Sequence, residues 1–178
     1  MHLFRRFLRD ETARCLEHGV RLNIIGRRDR LPAPLVRAIV DAEVATAAGR
    51  TLLVRVAIDY SGRDAVRRAA LRLAATGSAD CPDAEFGRLV GLVDHAVEVV
   101  PSLDVLIRTG GDHRLSDFQL WEGAYAELFF RTEEWPEFRP ADLAEVMAEF
   151  RGRQRRFGGL SSPNASAAAR SLTLEGSG

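Results

Sequence analysis

The chain has 178 residues, the size of a single domain with room for a real core. Its 25 Lys+Arg balance 25 Asp+Glu, which excludes attachment to polyanions or membrane surfaces through bulk charge. A hydrophobic content of 46% excludes wholesale disorder. No stretch reads as a secretory signal or is long and apolar enough to span a bilayer. Cys15 and Cys81 form no metal-ligand spacing. A cytoplasmic protein is expected.

Residues 2–18 place Leu3, Phe4, Phe7, Leu8, Cys15 and Leu16 at helical spacing, with Cys15 expected as a buried thiol. Gly19 closes that helix, and Arg21–Gly26 reads as a short strand. Pro32 and Pro34 open a second helix with Leu35, Val36, Ile39, Val40 and Val44 on its buried side. Leu52–Ile58 is nearly continuous in apolar residues, as in a strand covered on both faces. A turn at Asp59–Gly62 leads to a third helix holding Val66, Ala69, Ala70 and Leu73. Beyond a small-residue loop at Thr76–Asp83, the residues Phe86, Leu89, Val90 and Val93 mark a fourth.

Val105–Ile107 and Glu127–Phe130 read as strands, and Leu143, Val146, Met147 and Phe150 follow the pattern of a last helix. Residues 1–160 are expected to form one domain and 161–178, rich in Ser, Ala and Gly, a flexible tail. Strands alternating with helices predict an α/β fold with a mainly parallel sheet flanked by helices. Ligands in that architecture bind at the carboxyl ends of strands.

That is where Arg108-Thr109-Gly110-Gly111-Asp112-His113-Arg114-Leu115-Ser116 falls. Two guanidiniums, a hydroxyl and freely turning glycines, with a helix expected to start there, suit an oxyanion of two or more charges. The same residues also fit an ordinary strand-to-helix turn with surface arginines. Glu127, inside an apolar stretch, must be paired or metal-bound if buried, and a salt bridge to an arginine would satisfy it. Arg155-Arg156-Phe157-Gly158-Gly159 follows the last helix, where a solvated, dipole-complementing end is the simpler reading. No interleaved aromatic platform supports nucleic-acid binding. The chain contains neither G-x-G-x-x-G after a strand, nor G-x-x-x-x-G-K-[ST], nor an aspartate-rich D-D-x-x-D helix.

Taken together, Asp104–Ser116 (D-V-L-I-R-T-G-G-D-H-R-L-S), Phe118–Phe130 (F-Q-L-W-E-G-A-Y-A-E-L-F-F), Trp135–Phe138 and Arg155–Gly159 resemble the cis-prenyltransferases of the undecaprenyl diphosphate synthase type. Gly19–Gly26 and Val56–Gly62 fit the same family, in one register from about residue 2 to 160. The resemblance implies Mg²⁺-dependent condensation of isopentenyl diphosphate with an allylic prenyl diphosphate, releasing pyrophosphate, along an apolar tunnel. It assigns Arg108, Arg114, Leu115 and Ser116 to the diphosphate of isopentenyl diphosphate. Glu127 goes to the metal, and Arg156 and Gly158 to a site shared with a neighbouring subunit. A homodimer, or a heterodimer with a complete cis-prenyltransferase subunit, is implied, with the long product touching membrane transiently.

The family's aspartate-glycine-asparagine-glycine-arginine-tryptophan segment, which bears the principal metal ligand, is not among these 178 residues. The expected fold therefore lacks the family's first strand and its phosphate loop. The chain is expected to be inactive alone. The alternatives are a non-catalytic partner subunit, or a diphosphate-binding protein without turnover.

Overall fold

The computed structural model describes residues 2–77 and 80–153. It is α/β, as expected, and all strand pairing among the described residues is parallel. The chain divides into two units, Met1–Pro136 and Glu137–Gly178. Arg156, Gly158 and the expected tail at 161–178 lie outside the described residues.

In the first unit, α1 (His2–His18) turns Leu8 and Cys15 inward. It stops at Gly19, whose φ of +65° closes the last turn in the left-handed conformation. β1 (Val20–Ile25), α2 (Ala33–Thr46) and β2 (Leu52–Ala57) make a βαβ unit, in register from Val20 opposite Leu52 to Ile25 opposite Ala57. Leu8, Ile24, Leu35 and Ile39 form the core where α1, α2 and β1 meet. After β1 the chain must pass the Ile58 carbonyl. A Cβ on Gly26 would stand 2.1 Å from that oxygen, at a φ of +115°, so only glycine fits.

Two expectations about burial need correcting. On α2 the buried stripe is Leu35, Ile39, Ala42 and Thr46, one face at i, i+4, i+7 and i+11. Val40 and Val44 lie beside that stripe and face outward. β2 is not covered on both faces, since none of its residues is buried. Its second edge has no strand partner among the described residues. One of its faces opens, with β1 and α1, onto an apolar groove of about 320 Å³ lined by Phe4, Leu8, Leu22, Ile24, Val54 and Val56 among others.

The outer edge of β1 is finished differently. Its Leu22 N–H donates to Thr46 Oγ1 (3.0 Å) and its Ile24 N–H to Glu43 Oε1 (2.7 Å). The Ile24 carbonyl accepts from the Arg28 guanidinium at 2.6 Å. Gly26 N–H, just beyond, donates to the Asp94 carbonyl at 3.2 Å. Asn23, fully buried, completes this border through Glu43, the His95 carbonyl and the Val97 N–H. Backbone groups that would template another strand are thus satisfied by side chains and a loop.

α3 (Gly62–Ala74) and α4 (Asp83–Val93) pack through Ala65, Ala69, Leu89 and Val90. β3 (Val105–Arg108) pairs with β4 (Glu127–Phe130) as a second two-stranded sheet. In the second unit, α5 (Pro140–Gly152) begins with the Arg139 N–H donating to Asp142 at 2.6 Å.

Candidate functional site

β3 delivers Arg108 to its carboxyl end, and the chain leaves through Gly110 and Gly111 at φ +85° and +75°. Both glycines occupy the left-handed region, which is why this turn carries two of them. The helix expected next does not form. Residues 111–126 are turns and bends, so there is no helix start to offer free N–H groups. The glycine N–H groups are already used: Gly110 donates to the Glu133 carbonyl (2.8 Å) and Gly111 to that of Arg131 (2.9 Å). The Arg131 N–H returns to the Arg108 carbonyl at 2.7 Å. The root of the turn is therefore stapled to the chain after β4, and the two glycine N–H groups are not available to an anion.

The side chains of the turn converge. Arg108 Nη2 donates to Asp112 Oδ2 at 2.8 Å and Arg114 Nη2 donates to the same oxygen at 2.6 Å. The two guanidiniums picked out from the sequence thus meet on one atom. Asp112, given no role of its own from the sequence, is the residue that joins them. His113 stacks on Phe130, ring centroids 4.9 Å apart, which ties the middle of the turn to β4.

Leu115 and Ser116 lie on the next part of the turn. Ser116, Asp117 and Gln119 all have positive φ, at +48°, +67° and +49°, conformations that cost energy unless the surroundings enforce them. Here α3 enforces them. The Asp117 carbonyl accepts from Gly62 N–H (2.8 Å). Its carboxylate accepts from Ser61 Oγ (2.5 Å) and Arg63 N–H (2.8 Å). These bonds hold the Asp117 carboxyl below the usual carboxylate range. Ser61 in turn caps α3 by accepting from Asp64 N–H at 3.1 Å. Ser116 is therefore fixed by a strained turn pinned to a helix start, next to the arginine pair in sequence but not in contact with it.

Glu127 is not brought to the arginines. It opens β4 opposite Val105, whereas Arg108 stands opposite Phe130. Three strand positions, about 10 Å, separate them along the sheet, and strand alternation turns their side chains to opposite faces. Mg²⁺ needs only one or two protein oxygens, so a lone carboxylate is sufficient in number. Within one chain the strand register sets Glu127 and Arg108 apart along β3 and β4. The described residues hold no group of three or more His, Cys, Asp or Glu suited to a metal.

A second network gathers at the carboxyl ends of β1 and β2. Asp64 accepts from Arg67 (2.7 Å), Arg68 (2.7 Å) and Arg27 (3.1 Å). These bonds hold its carboxyl far below the usual range, that of Arg67 foremost, against the opposing effect of burial. Arg30 pairs with Asp59, and Arg68 also with Asp94. These arginines are spread over several carboxylates, whereas the two at the turn after β3 share a single one.

Comparison with known proteins bears on the same residues. The family model described as "Putative undecaprenyl diphosphate synthase" matches residues 1–158. Isoprenyl transferase 1 of Bradyrhizobium diazoefficiens is 51% identical over 164 residues, covering 90% of this chain and 63% of that protein. The ditrans,polycis-undecaprenyl-diphosphate synthase of Pseudomonas aeruginosa, specific for (2E,6E)-farnesyl diphosphate, is 42% identical over 161 residues, covering 89% and 63%. The crystal structure of lavandulyl diphosphate synthase from Lavandula x intermedia, in complex with dimethylallyl diphosphate, superposes with a TM-score of 0.81 at 32% identity. It covers 89% of this chain and 69% of that one. The chain thus spans less than two thirds of the length of these two curated relatives.

Proposed function

The chain belongs to the undecaprenyl diphosphate synthase family of prenyltransferases, and from that premise we propose that it binds isopentenyl diphosphate for condensation with an allylic diphosphate. The observation that carries the reading is the meeting of Arg108 and Arg114 on one oxygen at the carboxyl end of β3. A phosphate oxygen offered to the same two Nη2 groups would receive charge-assisted bonds from both. Leu115 and Ser116 follow on the rigid turn and complete the wall of the diphosphate pocket. The apolar groove of β1, β2 and α1 suits an isoprenoid tail, which binds through area removed from water.

In the condensation, the allylic C–O bond breaks, pyrophosphate leaves, and the double bond of isopentenyl diphosphate forms the new C–C bond with loss of a proton. Arg108 and Arg114 would anchor the acceptor and fix its double bond relative to the allylic carbon, a matter of orientation rather than proton transfer. Mg²⁺ would supply charge neutralisation on diphosphate oxygens. Glu127 would contribute a carboxylate oxygen to that ion. A dimer, a cytoplasmic location and roles for Arg156 and Gly158 complete the proposal.

Titration calorimetry with isopentenyl diphosphate tests it: Arg108→Ala and Arg114→Ala should each weaken binding about tenfold or more. Unchanged affinity in both variants would refute the reading. Incubated with farnesyl diphosphate, labelled isopentenyl diphosphate and Mg²⁺, the 178-residue chain alone should form no polyprenyl product. Turnover would mean that it carries a working allylic site.

A further inference from the structure

Resting on the diphosphate reading, we propose that Asp112 is an internal competitor for the arginine pair, keeping it closed until a diphosphate displaces the carboxylate. Asp112 Oδ2 stands where a bound phosphate oxygen would have to stand, accepting from Arg108 Nη2 at 2.8 Å and from Arg114 Nη2 at 2.6 Å. The acceptor position that the pair shares is thus taken by an anion of the chain's own.

The contact is built to open. Arg114 is exposed, while Asp112 and Arg108 are half-buried, and ion pairs this accessible to solvent contribute little each. Asp112 directly follows Gly110 and Gly111, whose left-handed backbone is open to solvent on the Cβ side. The arginines can stay, because the glycine N–H groups are bound to the Arg131 and Glu133 carbonyls. Exchange of one carboxylate for a more highly charged diphosphate then leaves both guanidiniums satisfied throughout, and the empty site never exposes two unpaired cations to passing monoanions.

Calorimetry with inorganic pyrophosphate, in a chelator to exclude divalent ions, separates this role from a merely organising one. In the full chain, Asp112→Asn should bind pyrophosphate roughly fivefold more tightly, the scale of two solvent-accessible ion pairs. Its affinity should fall more steeply with added NaCl, because two cations then face the ligand without an internal anion. Asp112→Ser, with the same loss of charge and a smaller side chain, should behave alike, and melting curves check that both variants fold. Equal or weaker binding by these variants would overturn the proposal and make Asp112 a residue that positions the arginines. Arg108→Ala keeps the two failures apart: if it leaves pyrophosphate affinity unchanged, the diphosphate reading itself falls. If it abolishes binding while Asp112→Asn gains nothing, only the competitor role falls. Absence of pyrophosphate binding by wild type and both Asp112 variants removes both.

Discussion

Glu122 and Asp94 are nearly inaccessible carboxylates, 5% and 3% exposed. Burial pushes both carboxyls up, and the charge of Asp94 raises Glu122 further. Arg68 holds one oxygen of Asp94, but Asp94 Oδ2 and Glu122 Oε2 find no hydrogen-bond partner among the described residues. A carboxyl whose pKa is raised by folding keeps its proton to a higher pH folded than unfolded. Raising the pH through the usual carboxylate range and beyond therefore favours the unfolded chain, until the folded group also ionises. Glu122→Gln should accordingly melt at a higher temperature than wild type at about pH 8. The gap should close toward about pH 4, where both forms are protonated; a gap independent of pH would refute the assignment. Such a residue was not legible in advance, since nothing in the residues beside it, Trp121 and Gly123, marks a glutamate as buried. The arginine pair was legible because its spacing after an apolar strand is itself the signal. Its junction on Asp112 depends on backbone angles that no residue pattern states.

Elements with strong periodicity followed the sequence closely: α1, α4 and β4 lie where their apolar spacing puts them. The failure is instructive. A helix was expected after Gly111, but left-handed residues at Ser116, Asp117 and Gln119 are incompatible with one, and Asp117 is committed to the start of α3. Asp117→Ala should therefore cost about 1 kcal/mol in urea denaturation, the scale of a lost helix cap. It should also weaken isopentenyl diphosphate binding by releasing Ser116. A stability loss without any change in binding would separate the turn from the site. Gly26→Ala should be far more damaging, by more than about 3 kcal/mol, because the new methyl collides with backbone rather than a movable side chain.

At the scale of the molecule, the arginine turn and the apolar groove lie on different elements of the first unit. The arginine turn follows β3, while the groove belongs to α1, β1 and β2. Sequence periodicity identified these strands but could not show that they form two separate pairs, because strand partnership depends on contacts remote along the chain. If the groove takes the isoprenoid tail, Val54→Asp should weaken farnesyl diphosphate binding about tenfold or more while leaving pyrophosphate affinity unchanged. Equal losses for both ligands would argue against a tail site there. No helix among the described residues is long and apolar enough to cross a membrane.

The border of β1 gives the larger architecture a direction. With Thr46, Glu43 and Arg28 occupying its hydrogen-bonding groups, that margin cannot recruit a neighbour without first surrendering bonds it already has. β2 has no such guard, so a polypeptide seeking to zip onto this sheet, whether from the same molecule or another, has one side on which to land.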